Sequence, residues 1–100
     1  AQHRLDAVLT PVAATTAVDA NRPVATWDDG IEEAGNAYTR LTQPFNATGQ
    51  PAISVPAGFD RNGLPIGLQL AGRPYRERHL CEIAHAYEQA AGWHLRRPAV

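Results

Sequence analysis

The side chains that could attack a substrate are few in this chain, and each lacks the neighbours that nucleophilic catalysis needs. Ser54 is the single serine, and lysine does not occur among the 100 residues. The surrounding residues predict a strand interior, whereas a catalytic serine is typically presented on a Gly-x-Ser-x-Gly turn between a strand and a helix. Cys81 lies one predicted helical turn before His85, but beside no recognisable acid that would orient the imidazole. The residues alone therefore indicate no complete catalytic group.

Metal binding has an equally small set of candidate ligands, which are His3, His79, Cys81, His85 and His94. Only Cys81 and His85 share a face of a predicted helix. Two ligands beside an apolar stripe are more often packing and surface residues than a metal site. We therefore predict no metal and no cofactor.

Composition restricts the class of protein and its partners. The formal net charge is -1, which gives no basic patch for nucleic acid. No apolar run is long enough to span a membrane, and the single cysteine suits a reducing, cytoplasmic compartment. One hundred residues suit one unit, 1–100, without an internal boundary. Because Ala1 opens the sequence just ahead of an apolar strand, we expect a piece of a longer polypeptide.

The elements that would position a site centre on a predicted β-hairpin. Two apolar runs, Ala52–Phe59 and Leu64–Ala71, are joined by Asp60-Arg61-Asn62-Gly63, which is typical of a hairpin turn. Alternation gives one bulky face, made of Ile53, Val55, Phe59, Ile66, Leu68 and Leu70. The opposite face carries the smaller or polar residues Ala52, Ser54, Gly67, Gln69 and Ala71. That face should be covered by a second layer, and a homodimer is one way to supply it.

A helix over Glu77–Ala91 is predicted to cover the bulky face. Its apolar positions recur at helical spacing and are Leu80, Ile83, Ala84, Tyr87, Ala90 and Ala91. Gly92 follows where a helix C-terminal glycine belongs. Further upstream, Leu5–Leu9 is predicted to be a strand, and residues 12–26 are predicted to be a loop.

A second helix is predicted over Ile31–Leu41. Asp29 would cap it, and Glu32 three residues later would complete a capping box. An acidic cluster, Asp28, Asp29, Glu32 and Glu33, lies at its start. Carboxylates there are favoured by the helix dipole, so the cluster needs no metal ion or catalytic role to explain it.

Four stretches of the sequence resemble the amidase-signature enzymes. They are Asp6–Pro11, Asn46–Phe59, Gly63–Pro74 and the Glu-led helix Glu77–Glu88. The resemblance is to the C-terminal part of that family's catalytic domain and covers most of the chain, with the weakest part between Val12 and Ala37. It implies an α/β fold, here a β-hairpin plus a short strand covered by helices.

The resemblance also implies a mechanism, in which a Ser, cis-Ser, Lys triad hydrolyses a small-molecule amide. In the family the triad lies in the N-terminal and central part, so none of its members can be placed on this chain. We therefore expect a scaffold and pocket wall that is inactive by itself. Two alternatives stay open: a non-catalytic binding or assembly module that retains this sequence, and a free-standing enzyme that uses Ser54.

Four residues are candidates for the edge of the substrate pocket. In the family the segment after the Thr-Pro step helps to shape the substrate entrance, which implicates Thr10 and Pro11. Asn46 is a candidate from the family's Asn-x-Thr/Ala-Gly motif, although Asn46, Thr48 and Gln69 are more readily explained as residues that order the turn and the hairpin.

Thr39 is the fourth candidate, and it bears on the choice between branches of the family. In the tRNA-dependent amidotransferase branch, the residue three before the Thr of Thr-x-Pro-x-Asn is characteristically Asp, which is associated with recognising the amino group of glutamine. Counting back from Thr42, that position is Thr39. A hydroxyl cannot balance an ammonium group as a carboxylate does, so we predict an amidase that acts on neutral aryl or alkyl amides.

Overall fold

A three-stranded antiparallel sheet packs against the longest helix of the described residues. The computed structural model describes residues 5–97, so His3 and the tail from Pro98 lie outside the described residues. The elements in chain order are β1 (Ala7–Pro11), β2 (Val24–Trp27), β3 (Gly30–Glu33), α1 (Ala34–Thr39), α2 (Gln43–Thr48), β4 (Ala52–Phe59), β5 (Pro65–Gly72), α3 (Glu77–Ala91) and a 3-10 turn, Trp93–Leu95. The main sheet has the order β1-β5-β4, and β2 and β3 pair separately.

The predicted hairpin is present as β4 and β5, and its turn is organised by Asp60. The Asp60 side chain accepts hydrogen bonds from the backbone N–H groups of Asn62, at 2.8 Å, and Leu64, at 2.9 Å. Only Gly63 of the turn has a positive φ, of 80°, which glycine adopts without strain. An Asx-type turn therefore sets the register of the hairpin.

A β-bulge interrupts the alternation that the sequence predicts. Val55 pairs with Leu68 and Pro56 with Gly67, but Ile66 then faces Gly58. The extra residue shifts Phe59 opposite Pro65, so Phe59 does not continue the bulky face as predicted. Phe59 instead stays 41% exposed and meets the ring of Trp93 edge to face.

Helix α3 covers the bulky face of the sheet, as predicted, and its bounds match the prediction. The core between them consists of Val55, Leu70, Leu80 and Ala84, all at most 5% exposed. Burying a leucine side chain contributes about 1.5 to 3 kcal/mol, so Leu70 and Leu80 fix the helix on the sheet. Ala90 and Ala91 of the predicted stripe are exposed.

Strand β1 pairs with β5 and begins and ends two residues later than the predicted strand. Thr10 and Pro11 therefore belong to the strand, with Thr10 opposite Gln69 and Pro11 opposite Leu68. Pro11 can occupy this position because β1 is an edge strand.

The helix predicted over Ile31–Leu41 is wrong in its first turn. Residues 30–33 form β3, which pairs with β2. All but the last residue of β2 lie in the segment 12–26, which we predicted to be a loop. Helix α1 is therefore only six residues long. A further short helix, α2, follows, and Pro44 lies in its first turn, where proline is common.

The predicted capping box is also wrong. Asp29 lies in the turn between β2 and β3, and the N-cap of α1 is Glu33, which makes no side-chain capping bond. Glu32 accepts hydrogen bonds from Trp27 Nε1 at 2.9 Å and from Arg40 Nη1 at 2.9 Å. Glu32 thus ties the small hairpin to the end of α1.

Candidate functional site

Gln69 joins the main sheet to the segment that contains α1 and α2. Among residues 5–97 it is the one buried residue with a polar side chain. Its side chain is on β5 and the residue is 4% exposed. Its Nε2 donates one hydrogen bond to Thr10 Oγ1, at 3.1 Å, and another to the Leu41 carbonyl, at 2.9 Å. Gln69 therefore holds β1 and the α1–α2 junction against the small face of the hairpin.

Thr10 and Pro11 lie on this junction. Besides accepting from Gln69, the Thr10 hydroxyl donates to the Pro11 carbonyl at 3.0 Å. Thr10 is half-buried and Pro11 is exposed. The Thr10 hydroxyl thus donates one hydrogen bond and accepts another, both within the protein.

Thr39, the last residue of α1, is held by local bonds. Its hydroxyl donates to the Gly35 carbonyl at 2.8 Å and accepts from Gln43 Nε2 at 3.2 Å. Thr39 lies two residues before Leu41, so Gln69 brings the Thr10 and Thr39 segments to one region of the fold. An exposed hydroxyl with these partners carries no charge that could recognise an ammonium group.

Asn46 is not drawn into this network. It lies on an exposed position of α2, and its side chain makes no hydrogen bond within residues 5–97. The neighbouring Thr48 hydroxyl contacts the Phe45 carbonyl at 3.4 Å and Gln50 Oε1 at 3.1 Å. Thr48 therefore orders the end of α2, as predicted, whereas Asn46 does not.

A cavity of about 540 Å³ lies beside this network. One wall is the segment 12–17, which begins directly after Pro11, and the others are Tyr38, next to Thr39, and residues 65–67 of β5. None of the four predicted pocket residues lines it. The family resemblance relates the segment after the Thr-Pro step to the substrate entrance, but the absence of periodicity in residues 12–26 gave no sign of which of them form the wall.

The segment 12–17 is fixed in place by contacts at both ends. Ala14 N donates to the Ala37 carbonyl at 3.0 Å, and Val18 N donates to the Tyr38 hydroxyl at 2.9 Å. Thr16 Oγ1 donates to Asp60 Oδ2 at 2.7 Å. These bonds turn an irregular segment into a defined wall, which we name the 12–17 wall.

The contact with this wall changes the acidity of Asp60. The hydrogen bond from Thr16 lowers the pKa of the Asp60 carboxyl below its ordinary value, and the backbone N–H of Leu64 adds to the effect. Both donors favour the ionised carboxylate. Ionised Asp60 therefore ties the 12–17 wall to the turn of the hairpin.

Comparison with known proteins identifies the family. The model of the Amidase family matches residues 1–81. The chain belongs to the amidase family. A solved structure described as the crystal structure of an amidase covers 89% of this chain with a TM-score of 0.72 and 26% identity, so the α/β fold is that of part of an amidase.

Two curated relatives are similar to this chain along nearly its whole length. The chain is 46% identical over 96 residues, 96% of its length, to a glutamyl-tRNA(Gln) amidotransferase subunit from Nostoc sp.. It is 44% identical over 95 residues, 93% of its length, to the protein of the same name from Brevibacillus brevis. The chain spans 19% and 18% of these two proteins, and 19% of the amidase structure.

The described part of this amidase-family chain contains no assembled catalytic group. Ser54 lies within β4, opposite Gln69, and its hydroxyl makes no hydrogen bond among residues 5–97. Cys81 is an exposed free thiol on α3. Within the same residues, no three His, Cys, Asp or Glu side chains are grouped to hold a metal ion, and no helix is long and apolar enough to cross a membrane.

Proposed function

We propose that this chain is the scaffold and one pocket wall of an enzyme that hydrolyses carboxylic amides, with a Ser, cis-Ser, Lys triad outside these 100 residues. The single observation that carries the proposal is the cavity bounded by the 12–17 wall, in a member of the amidase family without lysine. The wall is mostly apolar and is held by hydrogen bonds to Ala37, Tyr38 and Asp60. It directly follows the Thr-Pro step that the family resemblance relates to the substrate entrance.

The lining of this cavity favours a substrate with an apolar group. Valine, alanine, proline and isoleucine side chains make up most of it, with the Tyr38 ring as the one aromatic surface. The Tyr38 hydroxyl already accepts from Val18 N, so its hydrogen bond serves the wall. The volume is within the range of small-molecule pockets. An aryl or alkyl group attached to the amide would be bound here mainly by burial of apolar surface.

A second candidate function comes from the names of the relatives, which are those of tRNA-dependent amidotransferase subunits. A protein of that kind would release ammonia from glutamine, whose amino group is charged. Thr39 weighs against it, because it stands where the resemblance predicts Asp and its hydroxyl is bonded to Gly35 and Gln43. We therefore favour hydrolysis of neutral amides.

Ammonia release by the full-length polypeptide that carries this chain separates the two functions. We expect turnover of a neutral aryl amide such as benzamide and little turnover of glutamine. Thr39→Asp should raise the rate with glutamine relative to benzamide, whereas Thr39→Ser, which keeps the hydroxyl, should leave the ratio unchanged. Faster release from glutamine than from benzamide by the unaltered protein would decide for the amidotransferase function.

A non-catalytic assembly module is the remaining alternative. It predicts that this chain pairs with a separate chain that carries the lysine and serines of the triad. Co-purification of the chain with such a partner, with hydrolysis found only in the pair, would favour it over a single polypeptide.

A further inference from the structure

A second cleft lies between the turn end of the main hairpin and the residues that follow α3. Its volume is about 600 Å³, and it shares only Pro65 with the cavity of the proposed substrate site. Phe59 and Trp93 line its apolar part, and Glu88, Arg96 and Arg97 line its charged part. We name it the Arg96 cleft.

Two aromatic rings form the apolar part of the Arg96 cleft. The Phe59 and Trp93 ring centroids are 6.1 Å apart with an interplanar angle of 73°, an edge-to-face arrangement that fixes both rings. Trp93 comes this close to the strand because of the bulge: a Cβ at Gly58 would lie 3.4 Å from Trp93 Cζ2. The absent side chain at Gly58 therefore lets Trp93 pack against the strand, beside Phe59.

The charges around these rings favour a singly charged anion. The Arg96 guanidinium lies over the Phe59 ring, with Cζ 5.3 Å from the ring centroid, so a positive charge borders the aromatic surface. Arg97 Nη1 donates to the His94 carbonyl at 3.4 Å. Two guanidinium charges against the one carboxylate of Glu88 give a net charge of +1 on the lining. No carboxylate among residues 5–97 lies within salt-bridge distance of either arginine.

We propose that the Arg96 cleft binds an organic monocarboxylate with a planar apolar body. The apolar body would lie against Phe59 and Trp93, and the carboxylate would accept hydrogen bonds from the Arg96 guanidinium, whose planar donor groups match a carboxylate. A net charge of +1 balances one carboxylate. This site goes beyond the proposed amide hydrolysis and does not depend on it.

Calorimetric titration of the full-length polypeptide with sodium 2-naphthoate tests the site. We expect saturable binding that Arg96→Ala weakens about tenfold or more, because a hydrogen bond to a charged group is lost. Arg78→Ala is the matched control, since Arg78 is an exposed arginine on α3 that pairs with Glu82 outside the cleft. The control variant should bind as the unaltered protein does. The neutral 2-naphthalenemethanol should bind at least about tenfold more weakly than the carboxylate.

Three results would overturn the proposal. They are no saturable binding of 2-naphthoate, equal affinities of the Arg96→Ala and Arg78→Ala variants, and equal affinities for the acid and the alcohol. Both variants change exposed side chains, so a folding defect is not expected, and a thermal melt of each variant checks this.

Discussion

The Gln69→Leu substitution tests whether one buried amide holds the pocket side of the fold together. Leucine has a similar length but cannot donate, so the bonds to Thr10 Oγ1 and to the Leu41 carbonyl are both lost. Each hydrogen bond contributes about 0.5 to 1.5 kcal/mol net, and a buried acceptor left without a partner costs more. We expect the free energy of unfolding to fall by about 2 kcal/mol.

Chemical denaturation measures this loss, and Gln50→Leu is the control. Gln50 Nε2 donates to the Gly72 carbonyl at 3.1 Å and Gln50 Oε1 accepts from the Thr48 hydroxyl at 3.1 Å, both from a less buried side chain. Because partly exposed groups can bond to water instead, losing both bonds should cost about 1 kcal/mol or less. In a double-mutant cycle, Gln69→Leu and Thr10→Val should be coupled by roughly 0.5 kcal/mol or more, since they share one bond. A loss for Gln69→Leu no larger than that for Gln50→Leu, with no coupling to Thr10, would refute the role assigned to Gln69.

Three further predictions follow from single residues. Gly58→Ala should destabilise the fold by roughly 1 to 3 kcal/mol in denaturation, because its φ of 122° is a backbone conformation that residues with a side chain rarely adopt. Gly67→Leu should also lower the melting temperature, since its Cβ would lie 3.3 Å from the Oγ of the facing serine; an unchanged melting temperature would contradict that packing. The lowered pKa of Asp60 means that the stabilising bond from Thr16 is fully present above the ordinary aspartate value of about 4 and is lost as the pH falls through the lowered value. Asp60→Asn should remove this part of the acid dependence in melts below pH about 4, and an unchanged acid dependence would count against it.

The sequence predicts best where one local pattern is strong and tertiary structure agrees with it. Helix α3 has a long apolar stripe and a glycine after its end, and both of its bounds are confirmed. The hairpin is confirmed for the same reason, with its turn signalled by Asp60 and Gly63. The bulge after Pro56 escaped prediction because alternation alone cannot show where a strand takes in an extra residue.

The segment 24–48 was predicted less well because its signals support more than one structure. Ile31 fits a helical stripe, but its neighbours pair as a strand with residues 24–27, and tertiary contacts of Glu32 stabilise that pairing. Pro44 predicts the end of a helix as readily as the start of one. Among the candidate site residues, Thr10 gained its place through a contact with Gln69, 59 positions away, which no local pattern reveals.

The central claim, that this chain is a non-catalytic part of an amidase, is tested most directly by ammonia release from benzamide. We predict that the purified 100-residue chain releases none, and that the full-length polypeptide releases ammonia at a rate that Ser54→Ala and Cys81→Ala do not abolish. Turnover by the 100-residue chain alone that either substitution abolishes would contradict the account, because a nucleophile within these residues would then be responsible.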